Sequence, residues 1–234
     1  MKTIGLLGGM SWESTATYYQ LINEGVKDAL GGFHSAKIAL YSVDFSEIEK
    51  LQHEGNWQET ACILGHAAQA VESAGADCLL ICTNTMHKVA SDIECQVSIP
   101  LLHIADATAQ ALLQDGRTVV GLLGTAFTME QRFYRDRLEA KGIKVLVPNG
   151  VQRRLVHDII YKELVQGDIN SNSRQDYLEV VADLQELGAE AIVLGCTEIA
   201  MLINKEHTSV PLYDTTQLHS EAAIRFALGK ERES

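Results

Sequence analysis

The stretch Ile4-Gly5-Leu6-Leu7-Gly8-Gly9 decides the fold, because it returns in the second half of the chain as Val120-Gly121-Leu122-Leu123-Gly124-Thr125. Two further blocks recur in the same order. Ala74-Gly75-Ala76-Asp77-Cys78-Leu79-Leu80-Ile81-Cys82-Thr83 returns as Leu187-Gly188-Ala189-Glu190-Ala191-Ile192-Val193-Leu194-Gly195-Cys196, and Ile99-Pro100-Leu101 as Val210-Pro211-Leu212. The spacing drifts by a few residues from block to block, as loop insertions in one copy of a duplicated unit would produce.

Around these blocks, short β-branched or leucine-rich runs alternate with longer stretches of helical periodicity, the pattern of βα units on a parallel sheet covered on both faces. Strands are expected at 3–7, 37–43, 77–82, 100–104, 118–123, 144–147, 191–195 and 210–213. Helical spacing links Tyr19, Ile22, Val26 and Leu30 after a Ser11 cap; Trp57, Ala61, Leu64, Ala68 and Val71 before Gly75; and Tyr177, Val181, Leu184 and Leu187 before Gly188. The fold class is therefore α/β, with two pseudo-symmetric lobes, each a four-stranded mainly parallel sheet flanked by helices. The lobes are expected at 1–115 and 116–209, with 210–234 as a final strand and helix packing back on the first lobe. The charged end, 230–234, reads as a frayed tail. Paired α/β lobes place a small-ligand site in the cleft between the carboxyl ends of their strands.

The 234 residues are 46% apolar and 21% charged, enough for a substantial core without staples. With 19 Lys+Arg against 31 Asp+Glu the net charge is −12, which argues against nucleic acid or an anionic membrane as partner. No window approaches the length of a membrane span. Five irregularly spaced cysteines (Cys62, Cys78, Cys82, Cys95, Cys196) fit neither a disulfide framework nor a zinc site, and point to a reducing cytoplasm. Glycines at 5, 8 and 9 miss the spacing of a dinucleotide fingerprint, and no phosphate-loop lysine follows. His87 reads as a residue on a helix face rather than a ligand.

The repeated strand ends carry small or hydroxylic groups, and the repeat sets Thr83 on Cys196. Opposed proton-transfer groups are what is needed to take a hydrogen from one face of a stereocentre and return one on the other. Read as a pair, they form an asymmetric one. A thiol of pKa near 8.5 can be drawn toward neutrality by positive charge or amide dipoles. A threonine hydroxyl is a poor base but can donate or relay a proton. Asn84, Thr85, Thr125 and Thr197, where strands pass into helix N-termini, are candidates to hold a substrate carboxylate, with Met10 as an apolar wall and Glu198 as a helix cap, an amine partner or an aid to Cys196.

Together, Gly8-Gly9-Met10, Cys82-Thr83-Asn84-Thr85-Met86-His87 and Gly195-Cys196-Thr197-Glu198 resemble the cofactor-independent aspartate/glutamate racemase family over nearly the whole chain. That family usually supplies one cysteine from each lobe. Here Cys196 matches the second, while Thr83 stands where the first is expected, and Cys82, one place earlier on a strand, should face the opposite way as a core thiol. The Thr/Cys pair resembles the L-aspartate/glutamate-specific subgroup. The resemblance implies an amino-acid substrate, no cofactor, no metal, a homodimer, Cys196 serving the L face, and Gln52 as the polar contact for the substrate side chain. Other readings stay open: a broad-specificity amino-acid racemase, a one-cysteine decarboxylase or cis-trans isomerase, or an amino-acid-binding protein whose turnover has decayed.

Overall fold

The computed structural model describes residues 1–229; the tail expected at 230–234 lies outside them. In chain order the elements are β1 (Ile4–Gly8), α1 (Trp12–Leu30), β2 (Ile38–Ser42), α2 (Phe45–Glu54), α3 (Trp57–Ser73), β3 (Cys78–Ile81), a 3₁₀ turn (Thr85–Val89), α4 (Ala90–Glu94) and α5 (Ile104–Gln114). There follow β4 (Val119–Gly124), α6 (Ala126–Glu130), α7 (Arg132–Glu139), β5 (Lys144–Leu146), α8 (Gly150–Lys162), a 3₁₀ turn (Leu164–Gln166), α9 (Ser171–Glu186), β6 (Ala191–Gly195), α10 (Ile199–Leu202), β7 (Leu212–Asp214) and α11 (Thr215–Leu228). Among the described residues, no helix is long and apolar enough to cross a membrane.

Both sheets are parallel, ordered β2-β1-β3 and β5-β4-β6-β7. Their registers reproduce the sequence repeat. Leu7 pairs with Ile81 as Leu123 pairs with Leu194, and Leu79 bridges Leu101 as Ile192 pairs with Leu212. The edges are tied alike: Asp77 Oδ2 accepts from the Thr3 amide, and Glu190 Oε2 from those of Thr118 and Val119. The fold class is as read, an α/β architecture of two helix-flanked parallel sheets.

One strand count differs. Segment 100–104 forms a single bridge at Leu101, so the first sheet has three strands rather than four. Ladder bonds still flank the bridge, Leu79 N to Pro100 O and Leu102 N to Leu79 O at 2.9 Å each, and α5 then opens at Ile104, whose amide donates to the His87 ring at 3.2 Å; in the second sheet the pairing continues through Asp214.

The chain divides into two compact units, Met1–Ile104 with the described residues from His219 on, and Ala105–Leu218. The sequence reading drew the boundary at 115/116. In the two-unit division α5 after Ile104 lies with α7: Arg137 Nε and Nη2 donate to Asp106 Oδ2 (3.0 and 2.8 Å), and the Thr108 and Tyr134 hydroxyls are 3.0 Å apart. β7 pairs with β6 and so belongs to the second unit. The later turns of α11 belong to the first, where the Lys2 amide donates to Ala227 O at 2.9 Å.

Strand alternation sorts the core of the first unit. Leu7, Leu79 and Ile81 pack with Ala61, Leu64 and Ala68 of α3, while Ile4, Leu6, Cys78, Leu80 and Cys82 pack with Tyr18 and Ile22 of α1 and Ala223 and Ala227 of α11. Each large aliphatic side chain so buried contributes about 1.5–3 kcal/mol. In α1 the buried face is Tyr18, Ile22 and Val26; Tyr19 is 54% exposed, one step round from the expected stripe. The second unit is built round Leu123, Ile159, Val181, Leu184, Ile192 and Leu194, and here the expected Leu187 is exposed at the end of α9.

Candidate functional site

In the first unit, β1 ends at Gly8 and turns at Gly9, whose φ of +96° and close approach to Val43 leave no room for a Cβ. The Gly9 amide donates to Thr15 Oγ1 at 2.9 Å, and Ser11 caps α1. Met10 is buried in the core beside Leu7 and Ile48. Cys82 is fully buried on the α1–α11 face of the sheet, its carbonyl accepting from Ser14 Oγ (3.0 Å), and burial pushes its thiol well up. Thr83 is half-buried, and its carbonyl accepts from His87 Nδ1 at 2.8 Å. Asn84 and Thr85 are buried where the 3₁₀ turn begins. His87 is one of the buried residues of that 3₁₀ turn. Gln52, near the end of α2, is 3% exposed, and its Nε2 has no hydrogen-bond partner among the described residues.

In the second unit, β4 ends at Gly124 and Thr125 caps α6, its Oγ1 accepting from the Thr128 amide; His157 Nδ1 accepts from the Ala126 amide at 3.2 Å. β6 ends at Gly195. Cys196 follows, half-buried, and its Sγ donates to Glu198 Oε2 at 2.9 Å. Burial and the negative charge of Glu198 hold this thiol well above its ordinary pKa, and the lowering pull of the Glu198 and Thr197 amides is outweighed. The sequence reading looked to charge and dipoles to lower it; the group is instead a thiol hydrogen-bonded to the Glu198 carboxylate. Thr197 Oγ1 lies 3.2 Å from Thr216 Oγ1, and Thr215 Oγ1 donates to Leu194 O at 2.9 Å.

The reading from residues missed the tip of β7. Asp214 Oδ1 accepts from the Thr216 and Gln217 amides, and burial raises its carboxyl. The signal was present in the Val210-Pro211-Leu212 repeat, which puts Asp214 in register with Leu194 at the same strand end. The helices after β3, β4 and β6 are one turn long, so amides are on hand to face an anion but the dipole of a long helix is not. The structure brings Cys196 to Glu198 and Thr197 to Thr216. Met10, Gln52, Thr83, Asn84 and Thr85 lie in the first unit, and Thr125, Cys196, Thr197 and Glu198 in the second. No group of three metal-ligating side chains gathers among the described residues.

Residues 7–223 match the family model of Asp/Glu/hydantoin racemases, and the chain belongs to that family. This makes it an enzyme of the amino-acid racemase class. It is 54% identical to a Yersinia pestis protein of known structure provisionally described as an Asp/Glu racemase, with a TM-score of 0.93 over 97% of this chain and 100% of that one. An aspartate racemase homologue from Pyrococcus horikoshii is 34% identical, with a TM-score of 0.87 over 97% of this chain and 100% of that one. The broad specificity amino-acid racemase RacX of Bacillus subtilis is 22% identical over 94% of this chain and 96% of its own.

Proposed function

We propose that the chain interconverts the L and D forms of aspartate or glutamate without a cofactor, moving the α-proton between Cys196 and Thr83. The observation that carries this reading is the bond from Cys196 Sγ to Glu198 Oε2. A thiol held on a carboxylate has a base ready to take its proton once a bound ammonium group offsets the local negative charge. The thiolate then removes the α-proton from the L face, and the electron pair left on carbon is delocalised into the substrate carboxylate. Amides and hydroxyls at Asn84, Thr85, Thr125 and Thr197 are the donors we assign to that carboxylate, each worth about 3 kcal/mol on the scale of oxyanion donors. Thr83 Oγ1 gives its proton to the opposite face and is resupplied by water or a neighbouring hydroxyl.

By the repeat, Thr85 stands where Glu198 stands in the second unit, so the hydroxyl has no carboxylate two residues on. That supports an asymmetric scheme. Enantiomers are equal in free energy, so kcat/KM must be the same in both directions; the asymmetry appears as a lower kcat from the D form and as return of the carbanion to L. Gln52, buried with an unpaired amide nitrogen, is our candidate donor to the substrate side chain.

A neutral amide does not demand a carboxylate partner, which favours a second reading of broader range, in keeping with the broad specificity in the name of the Bacillus subtilis relative. The resemblance to the racemase family supports a homodimer. The test is α-hydrogen exchange in D2O from L-aspartate, L-glutamate and L-alanine. Exchange from the acidic pair supports the leading reading; exchange from alanine within about tenfold supports the broader one. Exchange from none supports a decarboxylase, an isomerase or a binding protein.

A further inference from the structure

We propose that His87 is a positioning residue for Thr83, a neutral imidazole that clamps the carbonyl of the proton-donating residue to the first amide of α5. This rests on the reading in which Thr83 serves the D face. Nδ1 of His87 lies 2.8 Å from Thr83 O, and a carbonyl can only accept, so Nδ1 carries the hydrogen. Nε2 lies 3.2 Å from the Ile104 amide, which can only donate, so Nε2 carries none. Both partners select one neutral tautomer. A second proton would break the Ile104 bond, and burial with His103 and His219 alongside disfavours it further.

The far side of the clamp is itself anchored. His219 Nε2 donates to Leu102 O at 2.6 Å while its Nδ1 accepts from the Tyr18 hydroxyl at 2.8 Å. Between the two bonded positions, the His103 ring packs edge-on against His87 at 4.5 Å. Segment 102–104 is thus held at Leu102 O by α11 and at Ile104 N by His87, and His87 passes that fixed reference to Thr83.

The second unit has no such device. Its equivalent of His87 is Ala200, and β7 runs on through Asp214. The difference matches the chemistry. Proton delivery from a hydroxyl needs the oxygen within hydrogen-bond reach of carbon, and a misplacement of about 1 Å costs on the order of 10²-fold. Cys196 has Glu198 to set its protonation; Thr83 depends on placement.

The experiment follows L-glutamate in D2O, measuring deuterium entering the L pool, which reports Cys196, against D-glutamate formed, which reports Thr83. His87→Ala should lower D-glutamate formation by about 10²-fold while exchange into L falls less than about threefold and KM stays within about twofold. His87→Asn, whose amide sits near the Nδ1 position, should restore the ratio of the two rates; His87→Gln, reaching toward the Nε2 position, should restore less. Equal loss of both rates in His87→Ala, or no change in either, overturns the proposal. If the alanine variant does not fold, the asparagine and glutamine variants carry the test, and equal ratios in the two overturn it. Failure of the unaltered enzyme to exchange at all overturns instead the roles given to Cys196 and Thr83.

Discussion

Cys196 donates to Glu198 at 2.9 Å, two residues on in the same strand-end turn, and the carboxylate both raises the thiol's pKa and stands ready to take its proton. Replacing Glu198 by Gln separates these effects. The thiol of Glu198→Gln should ionise at lower pH, because the negative charge beside it is gone. Its catalysis should fall about 10²-fold, because the base is gone. Alkylation of Cys196 against pH, followed by peptide mapping to separate it from exposed Cys62 and Cys95, checks the first; kcat for L-glutamate checks the second.

Thr83→Cys supplies a real base to the D face. Turnover from the D enantiomer should rise in kcat, and kcat/KM should rise by the same factor in both directions. The excess of L-pool exchange over racemisation should shrink. Unchanged kcat from D-glutamate would count against Thr83 as the second group.

Gln52→Leu tests side-chain recognition apart from folding. A buried amide nitrogen without a partner is costly, so exchanging it for an apolar group of similar size should leave the melting temperature unchanged or raised. KM for acidic substrates should increase about tenfold, the loss of roughly 1.4 kcal/mol of binding. A normal KM would remove Gln52 from the site.

Burial holds His219 neutral, with its pKa lowered from 6.5 to about 4. Between those values the unfolded chain takes up a proton that the folded chain refuses, so stability declines as pH falls from 6.5 toward 4, by about 3 kcal/mol in all at 1.36 kcal/mol per unit. The shift at His87 acts in the same direction. Urea unfolding at pH 7 and pH 4.5 should show this decline, and His219→Gln should show less of it. Equal slopes in the two proteins would deny His219 the role.

Much of this was legible in the chain because a duplicated sequence constrains itself. Leu7 and Ile81, which the repeat matches to Leu123 and Leu194, are paired across their sheet as those two are across theirs. What escaped depended on contacts that periodicity does not encode. Segment 100–104 carries the same apolar pattern as its counterpart at 210–213, yet it pairs only at Leu101. Tyr18 and Tyr19 are equally apolar in sequence, and both step acceptably to Ile22; Tyr18 is the inward one, packed with Ile4, Leu6 and Leu80 and bonded through its hydroxyl to His219, contacts that lie elsewhere along the chain. At the candidate site the motif Cys196-Thr197-Glu198 was visible, but the direction in which Glu198 moves the thiol required its distance from Sγ.

The most direct measurement compares the unaltered enzyme with Cys196→Ser for deuterium incorporation at the α-carbon of L-glutamate in D2O. The unaltered protein should label the L pool faster than D-glutamate accumulates, and the serine variant should lose both signals while still binding the amino acid. Labelling that survives in Cys196→Ser would contradict the account.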